Sequence, residues 1–161
     1  MSRRLSCAGL AVLALATLHQ PATARAEAAL ASLSADRQTI VEMSLERLEA
    51  MPQTTIVTDN EFTDGEVTYR GPLVREVLAA LGLEGADTVR LVAANDYFVD
   101  IPTEDFDRYD AILAMEADGR RLSRRDKGPL WLMYPISDHA ELRTQDYLRR
   151  LIWQVVRIEA L

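Results

Sequence analysis

Cysteine and histidine are almost absent from this 161-residue sequence. The one cysteine is Cys7, and past residue 26 the one histidine is His139. A chain with no thiol beyond its first residues builds no disulfide, thiolate nucleophile or iron–sulfur cluster there. A single histidine makes a multi-histidine zinc site or a serine triad difficult to assemble. His139 remains available as a lone base, although its ordinary role is that of a surface residue. Positive charge is also short: 18 Lys and Arg against 25 Asp and Glu leave a net charge of −7, with no basic stripe interleaved with aromatics. Phosphate backbones and anionic lipid surfaces are therefore poor partners. No glycine-rich phosphate loop, metal-binding helix or nucleophile elbow is present. A conventional hydrolase has nothing to supply a nucleophile beside a base.

The longest apolar run, Cys7 to Leu18, is well short of the roughly 20 residues needed to cross a bilayer. Arg3 and Arg4 precede it, and Ala24-Arg25-Ala26 places small residues where a signal peptidase reads. Residues 1–26 read as a secretory signal peptide, which makes the remainder an exported protein. Cys7 stands at the start of the run, whereas a lipid-bearing cysteine stands at its end. Cleavage after Ala26 would remove three arginines and no acid, so −7 becomes −10. Residues 27–37 hold little to bury and are expected to be loose. Residues 38–161 are expected to form a single domain, and at 48% apolar residues overall the chain can fill a core.

Thr39-Ile40-Val41 is β-branched and suggests a short strand, but Ile40, Val41, Ser44, Leu45 and Leu48 also share one helical face, so both forms stay open. Ser44 is placed to cap a short helix that ends before Pro52. Thr54–Glu61 and Val67–Tyr69, joined through Phe62 and Asp64-Gly65, predict a hairpin. Gly71-Pro72 precedes Leu73, Val77, Leu78 and Leu81 at helical spacing, with Pro72 suited to a first helical position and Gly82 to the stop. Strands are expected over Thr88–Ala94, Tyr97–Ile101, Ala111–Glu116, Pro129–Tyr134 and Leu151–Ile158. Helical turns are expected over Pro102–Phe106 and in part of Asp138–Arg150, and a loop over Asp118–Gly128. Strands outnumber helices in mixed order, which favours an α+β fold with a mixed or mainly antiparallel sheet.

Three regions carry candidate chemistry. Asn95-Asp96-Tyr97-Phe98 places polar groups at the end of a strand, either facing a cleft or closing an Asx turn on their own backbone. Lys127-Gly128-Pro129-Leu130-Trp131-Leu132-Met133-Tyr134 alternates, so Trp131 and Met133 face away from Leu130 and Leu132. One face is core and the other is a possible stacking wall, although tryptophans within apolar strands, Trp153 included, usually serve packing. Arg120-Arg121-Leu122-Ser123-Arg124-Arg125-Asp126-Lys127 is the one concentrated positive segment. It is either a solvated loop or a site for a flat electron-rich ligand or an acidic partner, since guanidinium groups pair with carboxylates and stack on rings.

The ordered segments "YRGPLVREVLAALGL", "LVAANDYFVDIPTEDF", "DAILAMEADGRRL", "KGPLWLMYP" and "IWQVVRIEAL" together resemble the molybdopterin-binding domain of the sulfite oxidase fold. In enzymes of that family a cysteine upstream of the segment matched by "YRGPLV" ligates molybdenum. Thr54 to Tyr69 contains none, which counts against oxidoreductase activity. The sequence looks more like small exported relatives that bind a metal-free pterin and act as partners of membrane signalling proteins, cyclic-di-GMP enzymes among them. The resemblance implies a periplasmic, non-enzymatic regulator holding a reduced pterin and reporting its ligand state to the periplasmic domain of a membrane protein. A pterin needs a stacking face, an acceptor for its amino and ring NH groups, and a donor for its carbonyl oxygen. Trp131, Trp153 or Tyr134 suit the first need, Asn95 or Asp96 beside Tyr97 the second, and Arg124 or Lys127 the third. The alternatives are a molybdopterin-dependent oxidoreductase without a cysteine ligand, and a ligand-free interaction module acting through the arginine segment.

Overall fold

The computed structural model describes residues 28–161, so the expectation of a signal peptide over 1–26 lies outside the described residues. Five strands form the largest sheet: β1 Ala28–Leu33, β2 Ile40–Ser44, β5 Thr88–Ala93, β6 Phe98–Pro102 and β11 Val155–Ala160, in the order β2-β1-β11-β5-β6. β1 runs parallel to β11, with Ala31 opposite Arg157, and every other pairing in this sheet is antiparallel. A second sheet orders β3 Gln53–Thr58, β4 Val67–Pro72, β8 Glu116–Ala117 and β9 Arg120–Arg121. β7 Ile112–Ala114 pairs with β10 Trp131–Met133. The helices are short: α1 Leu45–Glu49, α2 Val74–Ala80, α3 Glu104–Arg108 and α4 Gln145–Arg150. The architecture is α+β with a mixed sheet, as the pattern predicts.

Within the segment 27–37, expected to be loose, the described residues 28–37 are not loose, because β1 occupies most of them. Leu30 is buried, and Ser32 turns inward to donate to the carbonyls of Val41 and Leu81 at 3.4 and 3.5 Å. The small side chains of this segment carry little local signal, and of its two partners, β2 and β11, the second lies at the far end of the sequence. The ambiguity at Ile40–Leu48 resolves into a strand followed directly by a helix. Ser44 caps α1 by accepting from the Arg47 N–H at 3.3 Å. Pro72 is not the first helical residue but the last of β4, opposite Gln53, and Leu73 stands at the helix N-cap. Gly82, at φ +72°, ends the helix as expected. The predicted loop Asp118–Gly128 contains β9 and a 3-10 turn over Arg124–Asp126, and the last strand begins only at Val155.

Leu130, Trp131, Leu132, Met133 and Tyr134 are all buried, so alternation along β10 does not separate a core face from an open one. Both faces of this short strand are covered. β7 also lies against β4 at Gly71, where a Cβ would stand 1.9 Å from the Leu113 carbonyl oxygen and 2.9 Å from the Ala114 Cα. Only a glycine permits that approach. Gly71→Ala is therefore expected to lower stability by about 1–3 kcal/mol through overpacking. Gly85→Ala, with nothing within 4 Å of the added methyl, should stay within about 0.5 kcal/mol. Urea unfolding of both variants checks this, and equal midpoints would show that β7 yields to the methyl.

Candidate functional site

Where α4 ends and the chain turns toward β11, a cleft of about 340 Å³ opens at the surface. One wall is the loop after β3, carrying Glu61 and Phe62. A second is the β5–β6 turn with Asn95 and Tyr97. The third is α4 with Gln145, Leu148 and Arg149, and Leu151 to Trp153 runs beneath. Phe62 is 37% exposed, Tyr97 46% and Trp153 37%, whereas Trp131 is 3% exposed. Three open rings in one cleft are the feature to explain, because large apolar groups left in water cost free energy unless something covers them.

Each wall is held from behind. Asp59, just ahead of Glu61, accepts from the two terminal guanidinium nitrogens of Arg143 at 2.9 and 3.3 Å and from the Ser137 hydroxyl at 2.8 Å. Those donors hold the Asp59 carboxyl below the usual aspartate range, Arg143 contributing most and Ser137 next. On α3, Asp105 is buried and pairs with Arg150 of α4, while the Tyr147 and Tyr134 hydroxyls donate to it at 3.3 and 3.5 Å. Burial, followed by the Asp105 charge, pushes the Tyr134 hydroxyl well above its ordinary value. Tyr147 is pushed up to about 12, by burial first and then by its contacts with Tyr109 and Asp105. Both tyrosines therefore stay protonated donors at neutral pH. The Tyr97 hydroxyl ties the β5–β6 turn to α4 by donating to the Arg149 carbonyl at 3.2 Å.

The eight residues expected to surround a ligand divide. Asn95, Tyr97 and Trp153 line the cleft. The Asn95 side chain accepts from the Tyr97 N–H at 3.2 Å, so Asn95 closes an Asx turn and lines the cleft as well. Asp96 sits in the turn at φ +64° and is not among the lining residues. Trp131 is corrected from wall to buttress. Its indole donates to the Leu151 carbonyl at 3.1 Å, and its ring meets Trp153 edge-on at 6.4 Å. Tyr134 has no exposed surface and stacks with Phe106 instead. Lys127 places its ammonium 5.1 Å from the Trp131 ring, and Arg124 lines a different cleft. The sequence reading passed over Glu61, Phe62, Gln145, Leu148 and Arg149. An aromatic in the otherwise polar turn Glu61-Phe62-Thr63 was the one local signal that could have drawn attention to this wall.

The rim offers both kinds of polar partner. Glu61 accepts, Gln145 and Arg149 donate, and the rings supply flat apolar faces, which is the composition of a site for a planar, hydrogen-bonding ligand. Arg150→Ala leaves the Asp105 carboxylate buried without its cation, and is expected to cost about 3 kcal/mol in urea unfolding. A loss below about 1 kcal/mol would equate the pair with an exposed one. Because the Asp59 pKa is lowered, its pairing stabilises the fold above the ordinary aspartate value and is lost as pH falls through the lowered one. The stability gap between the native chain and Asp59→Asn should thus close in acid. A gap that stays constant with pH would deny the charge any role.

Among curated proteins none matches this sequence. Sulfane dehydrogenase SoxCD from Paracoccus pantotrophus shares the fold, with a TM-score of 0.60 at 18% identity over 81% of this chain. The chain spans 37% of that protein's length. The family model of the oxidoreductase molybdopterin binding domain matches residues 32–140. That match runs from within β1 through β10 to the segment leading into α4, and the chain belongs to the oxidoreductase molybdopterin binding domain family.

Proposed function

We propose that this domain binds a metal-free, reduced pterin in the cleft beside Trp153, and serves as a periplasmic regulator rather than a catalyst. The observation that carries the reading is the set of open rings, Phe62, Tyr97 and Trp153, with a carboxylate at one edge and a guanidinium and amide at the other. Glu61 would accept from the pterin amino group and ring NH, and Arg149 or Gln145 would donate to its carbonyl oxygen. Trp153 would stack on the ring, backed by the buried Trp131.

Molybdopterin, the group the family implies, has an organic half and a metal half, and the residues present suit only the first. No cysteine occurs in residues 28–161, and among the described residues no three His, Cys, Asp or Glu side chains gather as a metal site. The likeness to small exported relatives and the signal-peptide reading of residues 1–26 supply the rest of the proposal. The ligand state is presented to the periplasmic domain of a transmembrane signalling protein, such as a cyclic-di-GMP enzyme.

Protein purified from pterin-producing cells should release a fluorescent pterin on denaturation and rebind it in calorimetry. Stoichiometric molybdenum by elemental analysis would instead favour an oxidoreductase. Trp153→Ala is expected to weaken pterin binding by about 1–3 kcal/mol, the scale of base stacking on an aromatic ring. Trp131→Ala should act first on stability, by about 3–5 kcal/mol. Unchanged pterin affinity in a folded Trp153→Ala protein would remove Trp153 from the site.

A further inference from the structure

A second cleft, of about 450 Å³, lies beside the first. The two meet where the chain passes from Trp153 to Gln154 and from Ala93 to Ala94, with the Ala94 N–H donating to the Gln154 carbonyl at 3.0 Å. Its floor is apolar, formed by Leu45, Leu122, Pro129 and Val156. Ser123 and Arg124 of the arginine segment line the cleft, and Arg120 and Arg125 are close to them in sequence. Arg120, Arg124 and Arg125 are exposed, and none of them pairs with a carboxylate among the described residues, whereas Arg121 is engaged by Glu49 at 2.7 Å. In a chain with 25 acids against 18 bases, three neighbouring arginines without acids are an unusual concentration of available positive charge.

A solvated loop would account for exposure but not for the way this segment is fixed. Leu122 is buried, the Ser123 hydroxyl donates to Asp126 at 2.6 Å, and the Gly128 N–H donates to the Ser123 carbonyl at 2.7 Å. Gln154 clamps both ends of the turn. Its amide donates to the Arg124 carbonyl at 2.8 Å, and its backbone N–H donates to the Lys127 carbonyl at 3.2 Å. Two non-glycine residues hold left-handed backbone angles here, Lys127 at φ +66° and Gln154 at φ +53°. Such conformations persist where the surroundings over-determine them. A Cβ on Gly128 would come within 2.2 Å of the Leu122 carbonyl oxygen, so the turn is also closely packed. The arginine-bearing backbone is thus ordered before anything binds, which lowers the entropic cost of binding.

We propose that this arginine-rimmed cleft docks an extended acidic segment of a partner protein, with carboxylates on Arg120, Arg124 and Arg125 and an intervening apolar side chain on the Leu122–Val156 floor. Guanidinium groups take carboxylates through paired donors, and the apolar floor favours a segment that alternates acidic and apolar residues over a purely acidic one. Identifying this segment's owner as the membrane signalling partner rests on the pterin reading. The docking itself does not, although Gln154, adjacent in sequence to Trp153, joins the two clefts by one residue.

The test is fluorescence anisotropy of a labelled twelve-residue peptide of alternating glutamate and valine, titrated with the purified full chain without pterin. A lysine–valine peptide of the same length is the control. The acidic peptide should bind and the basic one should not. Arg124→Glu with Arg125→Glu should weaken binding about tenfold or more, equivalent to about 1.4 kcal/mol. Arg37→Glu with Arg108→Glu, an equal change of charge elsewhere, should weaken it less than about threefold at 0.15 M salt, where the Debye length is about 8 Å. Arg124→Gln with Arg125→Gln should also weaken binding, which separates lost attraction from added repulsion. Equal losses in the two reversal variants, or no binding of the acidic peptide, would overturn the proposal. Peptide docking in a protein that binds no pterin by calorimetry would retain this surface and remove the pterin reading, and the opposite pattern would do the reverse.

Discussion

A charge taken out of water has to be answered, and in this fold Asp105 is that charge. Its carboxylate has Arg150, Tyr147 and Tyr134 around it, so one buried group collects partners from just beyond β10 and from one face of α4. An isolated helix as short as α4, Gln145–Arg150, has no stability of its own in water. Its position depends on tertiary contacts, the Asp105 cluster among them. Because the same helix turns Arg149 and Gln145 toward the cleft, the geometry of the candidate site is set by a carboxylate on the other side of the helix.

The opposite wall follows the same logic with less burial. Asp59 fastens the loop after β3 to Arg143 and Ser137, and that loop carries Glu61 and Phe62. Two acid-centred anchors therefore hold two walls, while Trp131 supports the floor through its bond to the Leu151 carbonyl. Behind the open rings, Asp105 and Trp131 are buried, whereas Asp59 and Arg143 keep contact with solvent. This division suits binding, since a site whose supports are rigid spends less of its interaction energy on ordering itself.

Much of the fold was legible in the sequence, because hairpin chemistry at Asp64-Gly65, the cap at Ser44 and the stop at Gly82 are local effects. β1 was not, since its alanines and serines give little local strand signal and are held by pairing on both edges, with β2 and with the distant β11. The site was legible in part. Asn95, Tyr97 and Trp153 do converge, but alternation along β10 promised an open face for Trp131 where packing from both sides closes it. Period-two reasoning assumes that one side of a strand meets water, and a three-residue strand covered on both sides violates that assumption. Arg149 and Gln145 were missed because a helix of less than two turns leaves almost no periodic trace to read.

The parallel pairing of β1 with β11 bears on the order in which the molecule is made. Ala31 finds its neighbour at Arg157, so the central sheet cannot close until nearly the whole chain is available. Such long-range closure is slow compared with hairpin formation. A ribosome releasing this chain thus delivers hairpins such as β3–β4 and β5–β6 early and the completed sheet last. Residues 28–33 can pair early with β2 along one edge, but their other edge stays open until β11 arrives.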